Sequence, residues 1–363
     1  MRVKLGDVCE RGTSNLKLSD VSEKNGEFSV FGASGYIGSV DFYQQGYPYV
    51  AVVKDGAGIG RAMLCPGKTS VIGTMQYLLP KDNILPKYLF YVVKYMNLEK
   101  YFTGATIPHM YFKDYKNEEF NFDFWERQVE IVSVLSKCEK VIDLCKQELQ
   151  LLDKLIKARF VEMFGDVIHN SKKWQVCLFA EITSSRLGKM LDAKQQTGRN
   201  SYPYLANFNV QWFRFNLENL NKMDFDEKDR AEFELREGDL LVCEGGEIGR
   251  CAVWHNELQP CFFQKALHRV RCNHQIILPD YLAWWFRYNC DYGGFSALAG
   301  AKATIAHLPG AKLKQLQVAV PPMELQEQFA VFVAQTDKSK VAVQKALDEA
   351  QLLFDSLMQE YFG

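Results

Sequence analysis

The chain has 363 residues, 47% of them hydrophobic and 24% charged, with a formal net charge of −1. That length points to two domains, and the composition is that of a globular protein, neither disordered nor fibrous. Near-neutrality excludes the strongly basic class of self-sufficient DNA binder, and the lack of an apolar run of membrane-spanning length excludes a spanning chain.

The first 123 residues read as a small α+β domain. Residues 3–8 are a short strand or helix start, and the glycine-rich stretch 31–39 is a turn-rich loop between strands. Residues 47–53 (Tyr-Pro-Tyr-Val-Ala-Val-Val) form a strand that runs into the turn Lys54-Asp-Gly-Ala-Gly-Ile-Gly-Arg61. A further strand covers 77–79, and 85–95 is a helix with Pro86 near its start. The segment Thr103-Gly-Ala-Thr-Ile-Pro108 closes the domain.

A long helix follows over 125–164. Ile131, Leu135, Cys138, Ile142, Cys145, Leu149, Leu152 and Ile156 step by four and three, an a/d heptad seam. The span from Ile131 to Met163 is roughly 50 Å at about 1.5 Å per residue. A helix that long needs a partner. Leu325, Phe329, Phe332, Thr336, Ser339, Val343, Ala346, Ala350, Leu353 and Leu357 supply a second seam in a C-terminal helix over 321–363. The two could belong to unrelated domains, but whole blocks before each helix also repeat. Cys138 and Cys145 act there as small apolar residues. The ten cysteines show no C-x-x-C pair or zinc spacing, so a reducing, cytoplasmic setting is expected.

The block 165–320 repeats the order of the first domain. Asp239-Leu-Leu-Val-Cys-Glu-Gly-Gly-Glu-Ile-Gly-Arg250 matches Tyr49 to Arg61, strand and turn alike. Residues 277–288 match 84–95, and Ala301-Lys-Ala-Thr-Ile305 matches Gly104-Ala-Thr-Ile107. Val320-Pro-Pro-Met-Glu-Leu-Gln-Glu-Gln328 leads into the second helix as Phe122-Asp-Phe-Trp-Glu-Arg-Gln128 leads into the first.

This order of domain, long helix, domain, long helix resembles the specificity subunit of type I restriction–modification systems. The two turns ending Ile-Gly-Arg, the Ala-Thr-Ile segments, Pro321-Pro322 with Glu327-Gln328 and the two heptad helices carry the resemblance. The first half departs from the pattern, with no proline pair and Arg127 before Gln128. The resemblance implies an α+β chain with target-recognition domains at 1–123 and 165–320. Spacer helices at 124–164 and 321–363 pack antiparallel like a coiled coil. It implies a non-catalytic DNA-reading subunit that takes one half of a split double-stranded target per domain. Two modification (methyltransferase) subunits dock on it and use S-adenosylmethionine to methylate adenine. Restriction subunits, with ATP and Mg2+, usually join them. The chain itself would bind no cofactor, metal or membrane.

Enzyme readings fare worse. The turn 54–60 lacks G-x-G-x-x-G spacing, and Gly67-Lys-Thr69 lacks the earlier glycine of a P-loop, since residue 62 is Ala. Asp226-Glu-Lys228 and Pro279-Asp280 are nuclease fragments in the wrong order, and no Asn/Asp-Pro-Pro-Tyr methyltransferase motif exists. The six histidines form no metal pair. A coiled-coil adaptor with two protein-binding domains remains the alternative.

Reading bases needs Arg, Lys, Asn or Gln offered to groove edges, placed where the two domains differ. In the first domain 29–43 qualifies, with Ser34 and Tyr36. In the second 184–215 qualifies, with Arg186, Lys189, Arg199, Asn207, Asn209 and Arg214 interleaved with Tyr202, Tyr204, Phe208 and Trp212. Lys54, Arg61, Arg250 and Lys302 suit phosphate contacts, which position without reading. Thr106, His109, Thr304 and His307 complete the candidate set from the repeated Thr-Ile segments. The C-terminal helix carries 3 basic and 7 acidic residues, so partners would supply part of the phosphate neutralisation.

Overall fold

The apolar run Tyr49–Val53 becomes an inner strand because both of its faces are covered. The computed structural model describes residues 1–22, 26–104, 108–192, 196–296 and 307–363. It divides into two compact units, Met1–Leu149 with Ala342–Gly363, and Gln150–Val341.

In the first unit an antiparallel sheet runs Cys9–Thr13, Met75–Pro80, Tyr49–Val53, Ala62–Cys65. Side chains alternate across it. Val50 and Val52 enter a core with helix α1 (Pro86–Met96). Tyr49, Ala51 and Val53 face the other way, with Val71, Met75 and Tyr77. A second sheet runs Gly35–Val40, Phe28–Gly32, Ser70–Val71. The stretch 31–39, expected as loop, is therefore mostly hairpin. Its turn is only Ala33-Ser34, and Gly35 (φ +110°) lets the chain reverse. A long helix, α2 (Trp125–Phe164), brings Ile131, Leu135 and Ile142 into the core beside α1.

The second unit repeats the plan. Its sheet runs Thr183–Leu187, Leu267–Cys272, Leu240–Cys243, Cys251–Val253. Leu240 and Val242 meet the core of helix α3 (Pro279–Asp291), while Leu241 and Cys243 face the opposite core. A second sheet runs Lys222–Asp224, Ser201–Leu205, Phe262–Phe263, with one antiparallel and one parallel pairing as in the first unit. Residues 206–221 now join its first two strands and include a hairpin, Val210–Gln211 with Arg214–Phe215.

The last helix, α4 (Met323–Phe362), contributes to both units. In the first unit Tyr88 meets Asp123 and Phe362, and Tyr91 meets Ser136 and Phe354, so α2 and α4 run antiparallel there. In the second, Phe160 against Phe329 and Asp153 paired with Lys340 at 2.8 Å give the same direction. The α2 seam falls where expected. On α4 Phe329, Thr336, Val343 and Ala350 keep the seam expected from sequence, while the alternate positions come one residue later. Val333, Lys340, Leu347 and Phe354 turn inward, while Ser339, Ala346 and Leu353 are exposed. The apolar neighbours Phe332-Val333 and Leu353-Phe354 leave both registers open in the sequence, and the step of four from Phe329 to Val333 decides between them. Thr336 turns inward with its hydroxyl donating to the Phe332 carbonyl at 2.9 Å, and inward Lys340 is neutralised by Asp153 and Asp337.

One buried glutamine ties each long helix to its domain. Gln128 Oε1 accepts from Leu85 N at 2.8 Å, and its Nε2 donates to the Asn83 and Asp123 carbonyls at 3.0 Å. Gln326 Oε1 accepts from Leu278 N at 2.9 Å, and its Nε2 donates to the Ile276 and Pro321 carbonyls. The counterpart of Gln128 is thus Gln326. Gln328, matched to it by sequence, is exposed.

Candidate nucleic-acid interface

The repeated tripeptide Ile-Gly-Arg has a physical division of labour. Ile59 is buried in the α1 core and Ile248 packs against the α3 core. Gly60 has φ +81°, and a Cβ there would stand 2.5 Å from Glu99 N. At Gly249 (φ +78°) it would stand 3.0 Å from the Phe295 ring. Both positions need glycine for conformation and for close approach. The arginine then reaches out of the turn. Arg61 Nη1 donates to the Ala33 carbonyl at 3.2 Å, and Arg250 Nη2 to the Asn207 carbonyl at 2.9 Å. Each carbonyl lies within two residues of the end of an equivalent strand, Phe28–Gly32 or Ser201–Leu205.

The residues just after the Thr-Ile segments, 108–110 and 307–308, return to the same turns. Met110 N donates to the Lys54 carbonyl at 2.9 Å and Gly56 N to the Pro108 carbonyl at 3.1 Å. His109 Nδ1 is 2.7 Å from Asp55 Oδ1, and Lys54 Nζ is 3.2 Å from Asp55 Oδ2. The Lys54 charge is thereby largely answered within the domain. In the second unit Leu308 N donates to the Glu244 carbonyl at 2.6 Å, and His307 bridges Gly245. Gly245 stands where Asp55 does, so exposed His307 has no carboxylate at that position. His268 Nε2 donates to the Leu308 carbonyl at 2.9 Å from the buried sheet, and burial pushes its pKa below the ordinary value.

The structure gathers Ser34, Lys54, Arg61 and His109 around the first glycine turn, with Tyr36 beside Phe31 on the same hairpin and 63% exposed. Around the second turn it gathers Asn207, Arg250 and His307. Other candidates go elsewhere. Arg186 pairs with Glu232. Lys189 pairs with Asp229 and donates to the Asp224 carbonyl at 2.7 Å. Asn209 is 1% exposed and holds its own turn, accepting from Ala206 N and donating to the Asn216 carbonyl. Arg199 is exposed on a turn that Asp224 fixes through Thr197 and Gly198, and hydrogen bonds led by the Thr197 hydroxyl hold that carboxyl below the usual range. Arg214 is exposed on the 210–215 hairpin. Thr106, Lys302 and Thr304 lie outside the described residues.

Of the interleaved aromatics, Tyr204 is buried, Tyr202 lies under Arg230, and only Phe208 is largely exposed. Trp212 donates to Glu247 at 2.7 Å and faces the Arg287 guanidinium. Phe213, in a left-handed conformation (φ +61°), stacks on Trp284 at 4.3 Å. Sequence reasoning missed Asp55, Glu247 and Phe213. The contacts that set them at the site, to His109, Trp212 and Trp284, lie 54, 35 and 71 residues away, beyond any local pattern. Among the described residues no group of three His, Cys, Asp or Glu side chains could hold a metal ion, and no helix is long and apolar enough to cross a membrane.

Residues 1–154 and again 171–350 match the family model of the type I restriction modification DNA specificity domain. The chain belongs to that family. Two similar proteins come from Methanocaldococcus jannaschii. One, provisionally named the type I restriction enzyme MjaX specificity subunit, is 23% identical over 176 residues, 47% of this chain and 41% of the relative. The other, the type I restriction enzyme MjaIX specificity subunit, is 28% identical over 93 residues, 24% of this chain and 22% of the relative. These matches therefore span less than half of either relative's length. The fold is that of the type I restriction–modification S subunit from M. genitalium, at 14% identity, TM-score 0.64, and coverage of 100% of this chain and 96% of that one. A second chain, from work on complex assembly and conformational transition of the type I R-M system, aligns at 14% identity and TM-score 0.55, covering 99% and 97%.

Proposed function

We propose that this chain is the DNA-reading subunit of a type I restriction–modification complex, each domain taking one half of a bipartite duplex target. One observation carries the reading. The same glycine-turn end occurs twice, with the same arginine and with different loops around it. Ser34, Tyr36 and His109 in one domain, and Asn207, Phe208, Arg214 and His307 in the other, offer donors, acceptors and an aromatic face to groove edges. Arg199 offers a further donor fork from its own turn.

The reading extends to partners. Two modification subunits would bind the long helices and methylate adenine with S-adenosylmethionine. Restriction subunits would bring ATP and Mg2+, and the complex would work in the cytoplasm. Val134, Val141 and Leu144 of α2 are exposed along the helix in the first unit, an apolar face suited to the modification subunit. With a net charge of −1, the chain leaves phosphate neutralisation partly to those partners.

The test is binding of the full chain, with its modification subunits, to a pool of duplexes over a salt series. The reading predicts selective retention of one bipartite sequence, with log affinity falling linearly against log salt. Equal binding to all duplexes, or none, would leave the adaptor reading instead.

A further inference from the structure

We propose that Arg61 and Arg250 are positioning residues that clamp the base-reading loop of each domain, and that they are not phosphate ligands; this rests on the DNA-reading function above. In both units the guanidinium points back into its own domain and donates to a backbone carbonyl at the root of the divergent loop, Ala33 in one and Asn207 in the other. A carbonyl target is independent of side-chain identity. The loop can therefore change its residues while the clamp stays, which is what a reading surface that varies between half-sites requires.

The surroundings support a clamp over a free cation. Arg61 lies flat on the turn, since a Cβ on Gly58 would be 3.3 Å from its Cζ. The Arg250 side chain is only 18% exposed, its Nη1 lies 3.6 Å from Glu247, and its Nε is buried with no partner among the described residues. Glu247 in turn accepts from Trp212, so the second turn grips its longer loop at two points. A charge-assisted bond to a carbonyl fixes a loop more firmly than a neutral one.

Arg61 is exposed, so Arg61→Met and Arg61→Lys should both fold. The full chain with its modification subunits is assayed on the cognate duplex and on duplexes carrying one substituted base pair in either half, over a salt series. Amide hydrogen exchange of residues 33–36 is followed without DNA. The clamp predicts three results for R61M. Exchange at 33–36 rises at least about tenfold. Discrimination falls about tenfold in one half-site only, the size of one good base contact. The salt slope does not change. R61K restores most of each effect, and R250M repeats them for the other half-site with residues 207–209. A slope shallower by about 0.9, uniform weakening on all duplexes and unchanged exchange would make Arg61 a phosphate ligand and overturn the clamp. Unchanged exchange with unchanged binding would overturn it too. A wild-type chain without sequence preference would remove the DNA-reading function, and the exchange data would still decide the clamp.

Discussion

The two domains share a frame and differ in what hangs from one end of it. In the first, two residues join Phe28–Gly32 to Gly35–Val40. In the second, residues 206–221 fill the same connection with a hairpin. The buried polar position on the strand beside the inner strand is Gln76 in one and His268 in the other, paired with Val52 and Val242. The inner strand, the Ile-Gly-Arg turn and the helix-start glutamine do not change. Strand Met75–Pro80 begins beside the glycine turn, where Lys54 N donates to the Thr74 carbonyl, and ends near the Gln128 lock. The reading end and the helix end thus stand about 20 Å apart, at about 3.4 Å per residue. Loops at one end can be exchanged without disturbing the other.

The largest effect should come from the shared lock. Gln128→Ala and Gln326→Ala each remove three hydrogen bonds and leave mostly part-buried backbone groups unpaired. Each should cost roughly 3 kcal/mol in urea unfolding of the full chain. Gln328→Ala should stay within about 0.5 kcal/mol. A silent Gln326→Ala would end the equivalence of the two domains.

Next comes separability of the two ends. Leu144→Glu, on the exposed face of α2, should weaken assembly with modification subunits by about tenfold in size-exclusion titrations while half-site choice holds. Charge reversal at exposed Lys140 or Lys154 should act in the same direction more weakly. A changed target with intact assembly would couple what the comparison separates.

The smallest effect follows from His268. Burial lowers its pKa, so the unfolded chain binds the proton better. Stability is full above the ordinary value of 6.5 and falls as pH drops below it, by at most about 1.4 kcal/mol per pH unit. His268→Gln, copying Gln76, should flatten that part of the curve measured by urea midpoint between pH 7.5 and 5.5. An unchanged slope would remove His268 as its source.

The repeated order was legible in the sequence because its signals are local. An apolar strand, glycines where the chain must turn, and heptad spacing over forty residues each act through near neighbours. Half of the α4 seam, from Phe329 through Thr336 and Val343 to Ala350, was legible; the alternate positions were not, because neighbouring residues such as Phe332-Val333 and Leu353-Phe354 satisfy two registers and only α2 chooses between them. Asn209 and Lys189 look like reading residues by type, yet a tight turn buries Asn209, and Lys189, bridged to Gln264, is held by Asp229. The pairs Asp55–His109 and Glu247–Trp212 join segments 54 and 35 residues apart, and no periodicity links them.

The most direct measurement exchanges residues 1–123 for the matching domain of a family member with a different target and sequences methylated adenines in the host genome. One half of the bipartite target should change to that of the donor while the other half stays. A change in both halves, or in neither, would contradict the claim that each domain reads its own half-site.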